Sequence, residues 1–197
     1  MIRTTQDLLL ELSEYGTPKT RIQRMVKNGT LVKIRRGLYE TDPNVPAYLL
    51  AGVVCSPSYI SFSYALSHYG LIPERVETCT SAAFGKSRSK LFKTPVGNFS
   101  YRDIPKGAYP YGVYWKQEGK YSYLIASPEK AICDMLYIKP PVGNLGALKE
   151  MLFEDLRIDE NSFYSLEKEK LLKLTERFHT QNIRMLARLI GKGLTFL

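Results

Sequence analysis

Residues 17–39 read TPKTRIQRMVKNGTLVKIRRGLY, and this stretch decides the architecture that we expect for the chain. Pro18 suits the first position of a helix, where its missing N–H costs nothing, and Thr17 before it is a suitable N-cap. Asn28-Gly29 ends the helix, since both residues tolerate the left-handed conformation of a C-terminal stop. The stretch therefore predicts a short helix followed by a tight turn.

The predicted helix has one apolar side and one polar, cationic side. Ile22, Met25 and Val26 recur at i, i+3 and i+4 and form the apolar stripe. A strand-like run follows over residues 31–34, and residues 35–37 are expected at the tip of a hairpin. A cationic helix followed by a cationic hairpin matches a winged helix-turn-helix, in which the helix enters a major groove and the hairpin contacts phosphates or a minor groove.

The charge of this stretch has a single sign. Residues 19–36 contain seven Lys or Arg side chains and no Asp or Glu. A basic helix face is often only solvated surface, but here the charge covers helix and hairpin together, which favours nucleic-acid binding. The expected DNA-binding residues are Lys19, Thr20, Arg21, Gln23, Arg24 and Lys27 on the helix, and Lys33, Arg35 and Arg36 on the hairpin.

Composition places the chain among ordinary globular proteins with a polyanionic partner. It has 197 residues, 44% of them hydrophobic, and a net charge of +9. Such a charge favours nucleic acid, a membrane surface or an acidic protein. No run of about 20 apolar residues exists, so we expect no membrane helix. The three cysteines are odd in number and far apart, which is typical of reduced thiols in a cytoplasmic protein.

The rest of the chain predicts an α+β fold in two domains. A helix is expected over residues 4–15, and the turn-rich TDPNVP at residues 41–46 separates a winged helix-turn-helix domain, residues 1–42, from a C-terminal domain, residues 43–197. In the second domain we expect an apolar helix over residues 47–55 and antiparallel strands spaced by Pro and Gly, giving a mixed α/β domain. Ser127-Pro128 should begin a helix, and the chain from residue 144 should be a helical tail.

Sequence motifs for catalysis are weak. Phe84-Gly85-Lys86-Ser87 resembles the end of a phosphate-binding loop, but the earlier glycine of that pattern is replaced by Thr80 and a poor helix start follows. Neither histidine lies at metal-ligand spacing from a cysteine or another histidine, so we expect no metal and no cofactor. We therefore predict no enzymatic activity. A second basic group could contact DNA or another partner and consists of Lys86, Arg88, Lys90 and Lys93.

Four segments together resemble the AbiEi-type antitoxin family, the regulators of bacterial abortive-infection toxin–antitoxin systems. They are RIQRMVKNGTLVKIRRGLYE, SPSYISFSYALSHYGLIPE, TCTSAAFGKSRSKLFKTP and SPEKAICDMLY. They occur in order and extend over both predicted domains, which makes the resemblance more specific than a winged helix alone.

The resemblance implies a two-part cytoplasmic protein that takes part in antiviral defence. The winged helix would bind inverted repeats in the promoter of its own operon and repress it. The C-terminal domain would counteract a nucleotidyltransferase-like toxin without forming a stable complex with it. We expect a monomer in solution that can bind DNA cooperatively, and no membrane partner. Two alternatives stay open at this point: an RNA-binding regulator, and an enzyme that modifies nucleic acid.

Overall fold

A computed structural model describes residues 1–192 of the chain, and it contains one β-sheet of three strands, one of six strands, and helices that pack against them. This mixed composition confirms the α+β prediction. The elements of the N-terminal part are β1 (Ile2–Thr4), α1 (Thr5–Glu11), α2 (Pro18–Lys27), β2 (Val32–Arg35) and β3 (Leu38–Glu40).

The small sheet has the order β1-β3-β2 and is antiparallel throughout. Strand β1 was not predicted, and the helix expected over residues 4–15 is shorter than predicted because it ends at Glu11. The start of α1 is nevertheless encoded locally. The Thr4 amide donates to Asp7 Oδ2 at 2.7 Å, and the Asp7 amide donates to Thr4 Oγ1 at 3.2 Å, which together form a capping box. Residues before Thr4 are therefore free to pair as a strand.

The N-terminal part has a small apolar core of its own. Leu8, Ile22 and Leu31 are buried together, so the predicted apolar stripe of α2 faces α1. In contrast, Ile34 and Leu38 of the hairpin belong to the large core formed by the rest of the chain. The hairpin thus shares its buried side chains with both parts, as expected for a unit of about 40 residues that is too small to fold alone.

Residues 47–192 form the larger part. Its first half contains a 3-10 turn (Ala47–Leu50), α3 (Ala51–Val54), β4 (Ser58–Ile60), α4 (Phe62–His68), β5 (Cys79–Ala83), β6 (Lys90–Thr94), β7 (Gly97–Asp103), β8 (Val113–Glu118) and β9 (Tyr121–Ala126). Its second half is helical: α5 (Pro128–Ile138), α6 (Leu145–Glu150), a π-helical turn (Met151–Asp155), α7 (Glu160–Tyr164), α8 (Lys168–Thr175) and α9 (Gln181–Lys192). The apolar helix expected over residues 47–55 is therefore a 3-10 turn followed by a short α-helix.

The large sheet has the order β6-β7-β5-β4-β9-β8. Strands β4 and β9 are parallel, as are β5 and β7, whereas the other neighbours are antiparallel. The prediction of antiparallel strands is thus only partly correct. Parallel neighbours arise when the chain crosses over before it returns to the sheet. Helices α4 and α5 contact each other, and α5 also contacts β9 and α8, so the helical second half is packed onto the sheet.

All three cysteines, Cys55, Cys79 and Cys133, are buried in the large core and free of disulfide bonds. Burial raises the pKa of the Cys79 thiol to about 12 and also raises that of Cys133. These two side chains therefore stay protonated at neutral pH and act as small apolar groups.

Candidate nucleic-acid interface and buried ion pair

Helix α2 forms where local sequence signals place it. It begins at Pro18 directly after Thr17, although the Thr17 hydroxyl makes no capping hydrogen bond. It ends at Asn28, whose amide donates to the Arg24 carbonyl at 2.9 Å, and Gly29 follows with a φ of +74°. Glycine adopts this left-handed conformation without steric cost. The end of the helix is thereby fixed just before the hairpin.

The predicted DNA-binding residues are all exposed to solvent. Ile22 is buried on the inner side of α2, and Gly37 with a φ of +81° makes the turn between β2 and β3. We call the following exposed positions the basic face: Lys19, Thr20, Arg21, Gln23, Arg24, Lys27, Lys33, Arg35 and Arg36. Among residues 1–192, no ion pair involves a cation of the basic face. Its charges are therefore available to an external partner.

The structure places the residues of the second predicted basic group in different environments. The Nζ of Lys86 is engaged within the chain, because it donates to the Ser56 carbonyl at 2.5 Å. Lys90 and Lys93 lie on edge strand β6, and β6 lies beside β2. Lys90 pairs in register with Tyr101, which places the two side chains on the same face of the sheet. One cation from this group thus lies close to the basic face, although 54 positions separate Lys90 from Arg36 in the sequence.

The loop at Phe84-Gly85-Lys86-Ser87 does not have the geometry of a phosphate-binding loop. The backbone amides of Lys86 and Ser87 both donate to Asp103 Oδ2, at 2.7 and 2.9 Å. Amides that would hold a phosphate are therefore already occupied by a carboxylate. The next element is strand β6, where a nucleotide-binding loop would continue into a helix.

A buried ion pair, which sequence reasoning missed, lies on α5. Lys130 and Asp134 are one helical turn apart on α5, and both side chains are fully inaccessible to solvent. Lys130 Nζ donates to Asp134 Oδ1, and it lies 4.7 Å from the centre of the Phe178 ring. Two hydroxyls, those of Tyr59 and Ser61, donate to Asp134 Oδ2 at 2.8 and 2.7 Å.

Burial controls the protonation energetics of this pair. It raises the pKa of Asp134, and it lowers the pKa of Lys130, because either charge alone is poorly solvated in the core. Each partner and both hydroxyls oppose these shifts by stabilising the charged forms. The i, i+4 spacing of Lys130 and Asp134 within SPEKAICD is the sequence signal that indicates such an ion pair.

The ion pair fixes the junction between β4 and α4. Ser61 donates its hydroxyl to Asp134, and its amide donates to the Thr80 carbonyl at 3.0 Å. Thr80 Oγ1 in turn donates to the Ser61 carbonyl at 2.7 Å. The next residue, Phe62, is buried with a φ of +56°, a strained conformation for a bulky side chain that costs about 1–3 kcal/mol. The surrounding hydrogen bonds hold this conformation in place.

Within residues 1–192, no group of three or more His, Cys, Asp or Glu side chains is arranged to hold a metal ion. The helices in the same range include none with the length and apolarity needed to cross a bilayer. Comparison with models of known protein families gives no match for this chain, and comparison with curated proteins gives none either. A functional assignment therefore has to start from the two charged sites described above.

Proposed function

We propose that this protein binds duplex DNA through residues 1–42, acting as a winged helix, and that it represses the promoter of its own operon in the cytoplasm. The observation that carries the proposal is the basic face, whose cations on α2 and on the β2–β3 hairpin are exposed and have no ionic partner among residues 1–192. The order strand, helix, helix, hairpin supports it, with β1 paired to strand β3 of the hairpin.

The side chains of the basic face have two kinds of role in this proposal. Gln23 and Arg24 contact base edges, because Gln suits adenine and Arg suits guanine in the major groove. The other cations neutralise phosphates, which gives affinity without sequence information. These are Lys19, Arg21, Lys27, Lys33, Arg35 and Arg36. Lys90 on β6 extends the phosphate contacts beyond the hairpin, because its strand lies beside β2.

The second half of the proposal concerns residues 43–197 and rests on the resemblance to the AbiEi-type family. In this proposal the C-terminal part counteracts a nucleotidyltransferase-like toxin without a stable complex. In this chain Asp134 of the α5 ion pair joins SPEKAICDMLY to SPSYISFS through the Ser61–Asp134 hydrogen bond. Two of the four resembling segments thus form one buried unit.

The proposal is tested by binding of the purified protein to its own upstream DNA and to a scrambled duplex across a salt series. We expect preference for the upstream repeats, and a slope of log K against log salt of about 0.9 per neutralised phosphate. Structured RNA added as competitor should release little DNA. Weak and equal binding to both duplexes would contradict the repressor assignment, and displacement by RNA would favour the RNA-binding alternative.

A further inference from the structure

A cavity of about 270 Å³ opens between the large sheet and the helices packed on it. Its floor is apolar and is formed by Phe62, Met135 and Ile138. Its polar rim comes from two strands and the ends of two helices. The rim residues are Ser63, Thr80, Ser100, Arg102 and Lys139.

The rim of the cavity is cationic. Arg102 and Lys139 both line it, and neither takes part in an ion pair within residues 1–192. No carboxylate side chain lines the cavity. Two cations that line one cavity with no carboxylate among its lining residues attract an anion with two negative charges.

Hydroxyl groups stand beside these cations. Thr80 and Ser100 are neighbours in the parallel register of β5 and β7, and Ser63 begins the first turn of α4. The Thr80 hydroxyl is already engaged with the Ser61 carbonyl and the Tyr64 amide. Ser63 and Ser100 are therefore the hydroxyls that the rim offers to a ligand.

Phe62 on the floor of the cavity follows a residue that is fixed by several hydrogen bonds. Phe62 has its strained φ of +56° directly after Ser61, which is fixed by Asp134 and Thr80. Strain of this kind persists only where the surroundings determine it, and it concentrates at ligand sites. The buried Lys130–Asp134 pair thus shapes the cavity without touching its contents.

We propose that this cavity binds a compact phosphate monoester, with the phosphate between Arg102 and Lys139 and the body of the ligand on the apolar floor. Arg102 supplies a forked donor that matches two phosphate oxygens. The volume lies near the lower end of small-ligand pockets, about 300–1,000 Å³, which selects a ligand of about the size of a nucleoside monophosphate.

This site is separate from the basic face. Ser100 and Arg102 lie on the face of β7 opposite Tyr101, because side chains alternate along a strand. Tyr101 donates to the Ala51 carbonyl at 2.7 Å, so its face is covered by α3. The proposal therefore does not rest on DNA binding, and one can fail while the other holds.

The test is a titration of the labelled 22.5 kDa protein with AMP, followed by amide chemical shifts, with adenosine as the matched probe that lacks the phosphate. We expect AMP to shift the amides of Ser63, Thr80 and Ser100, and adenosine to leave them in place. Arg102→Gln and Lys139→Gln should each weaken AMP binding about tenfold, the loss of one charge-assisted hydrogen bond. Lys116→Gln, an exposed cation on β8, is the control and should leave the affinity unchanged.

Three results would overturn the proposal: no shifts at these amides with AMP, equal shifts with adenosine, or equal loss of affinity in Arg102→Gln and Lys116→Gln. Binding of Arg102→Gln to operator DNA is measured alongside. We expect it to match the wild-type value, which separates this site from the DNA-binding proposal.

Discussion

Helices α2 and α5 are of similar length and both carry cations, but they place them in opposite environments. The cations of α2 are exposed and have no ionic partner among residues 1–192, whereas Lys130 of α5 is fully buried beside Asp134. An exposed charge keeps its hydration, so its removal changes little in the fold. A buried charge has lost its hydration and depends on its partner. The lysines of α2 are thus available to bind a partner, whereas Lys130 of α5 stabilises the fold.

The comparison of α2 with α5 predicts that substitution of Lys130 causes the largest loss of stability. Lys130→Met leaves Asp134 buried without a counter-charge, and we expect the free energy of unfolding to fall by about 3–5 kcal/mol. Urea denaturation measures this. Lys116→Met, at an exposed cation on β8, is the matched control and should change stability by less than about 0.5 kcal/mol.

The double variant Lys130→Met/Asp134→Asn sharpens the same comparison. Asparagine can still accept hydrogen bonds from Tyr59 and Ser61, and no buried charge remains. We expect it to be more stable than Lys130→Met alone. If the double variant were less stable than either single variant, the buried charges would not be coupled as described.

The next largest effect is expected where β8 approaches α5. Gly112 has a φ of +66°, and a Cβ added there would lie 2.9 Å from Lys130 Cβ. Gly119 has a φ of +56° with open space around it. Alanine at either position costs about 1–2 kcal/mol for the left-handed backbone, and Gly112→Ala should cost a further 1–3 kcal/mol, roughly, for overpacking.

Thermal or urea unfolding of the two glycine variants separates these contributions. The difference between Gly112→Ala and Gly119→Ala isolates the packing of the β8 segment against α5. Equal stabilities would show that the chain can relax around Gly112.

At the basic face the predicted change is in recognition and not in stability. Arg24→Ala should cost about 1–3 kcal/mol of operator binding and relax specificity at one base pair, whereas Lys27→Ala should weaken all sequences alike. Both variants should unfold within about 0.5 kcal/mol of the wild-type protein. Binding isotherms on operator and scrambled DNA measure the effect, and equal losses on both duplexes for Arg24→Ala would contradict its role at a base edge.

The smallest effect concerns Glu40, which joins the two parts of the chain. Burial raises the pKa of this carboxyl, but hydrogen bonds from the Met1 amino group, the Asp42 amide and the Tyr121 hydroxyl outweigh burial and hold the pKa below its usual 4.5. A lowered pKa stabilises the fold above the usual value, and this contribution is lost as pH falls through the folded-state pKa. Stability curves of wild type and Glu40→Gln should therefore converge in acid, from a separation of about 1 kcal/mol at neutral pH. A separation that did not depend on pH would argue against an ionised Glu40.

The elements that the sequence predicts correctly are those with local signals. Pro18 and Asn28-Gly29 bound α2, and Ser127-Pro128 begins α5, where the Ser127 hydroxyl accepts from the Lys130 amide at 3.2 Å. The outward direction of the α2 cations also follows from helical periodicity alone. These features are determined by residues that lie within one or two helical turns of each other.

The features that the sequence did not predict depend on distant partners. Strand β1 exists because Ile2 and Arg3 pair with Glu40 and Tyr39, and β9 is parallel to β4 because Ile60 meets Ile125. In the sequence Lys130 cannot be distinguished from a surface lysine. Its burial depends on Asp134, which accepts hydrogen bonds from the distant residues Tyr59 and Ser61. Periodicity describes the faces of an element but not what covers them.

The buried thiols have one further consequence. Cys79 and Cys133 lie outside residues 1–42, are fully buried and have pKa values raised by burial, so a reagent that attacks thiolates reaches neither of them until the large core opens. The rate at which these thiols are modified therefore measures how often the large core opens. If occupation of the basic face by DNA slows the reaction of these thiols, the small N-terminal part and the large core unfold as one unit, and if the reaction keeps its rate they open separately.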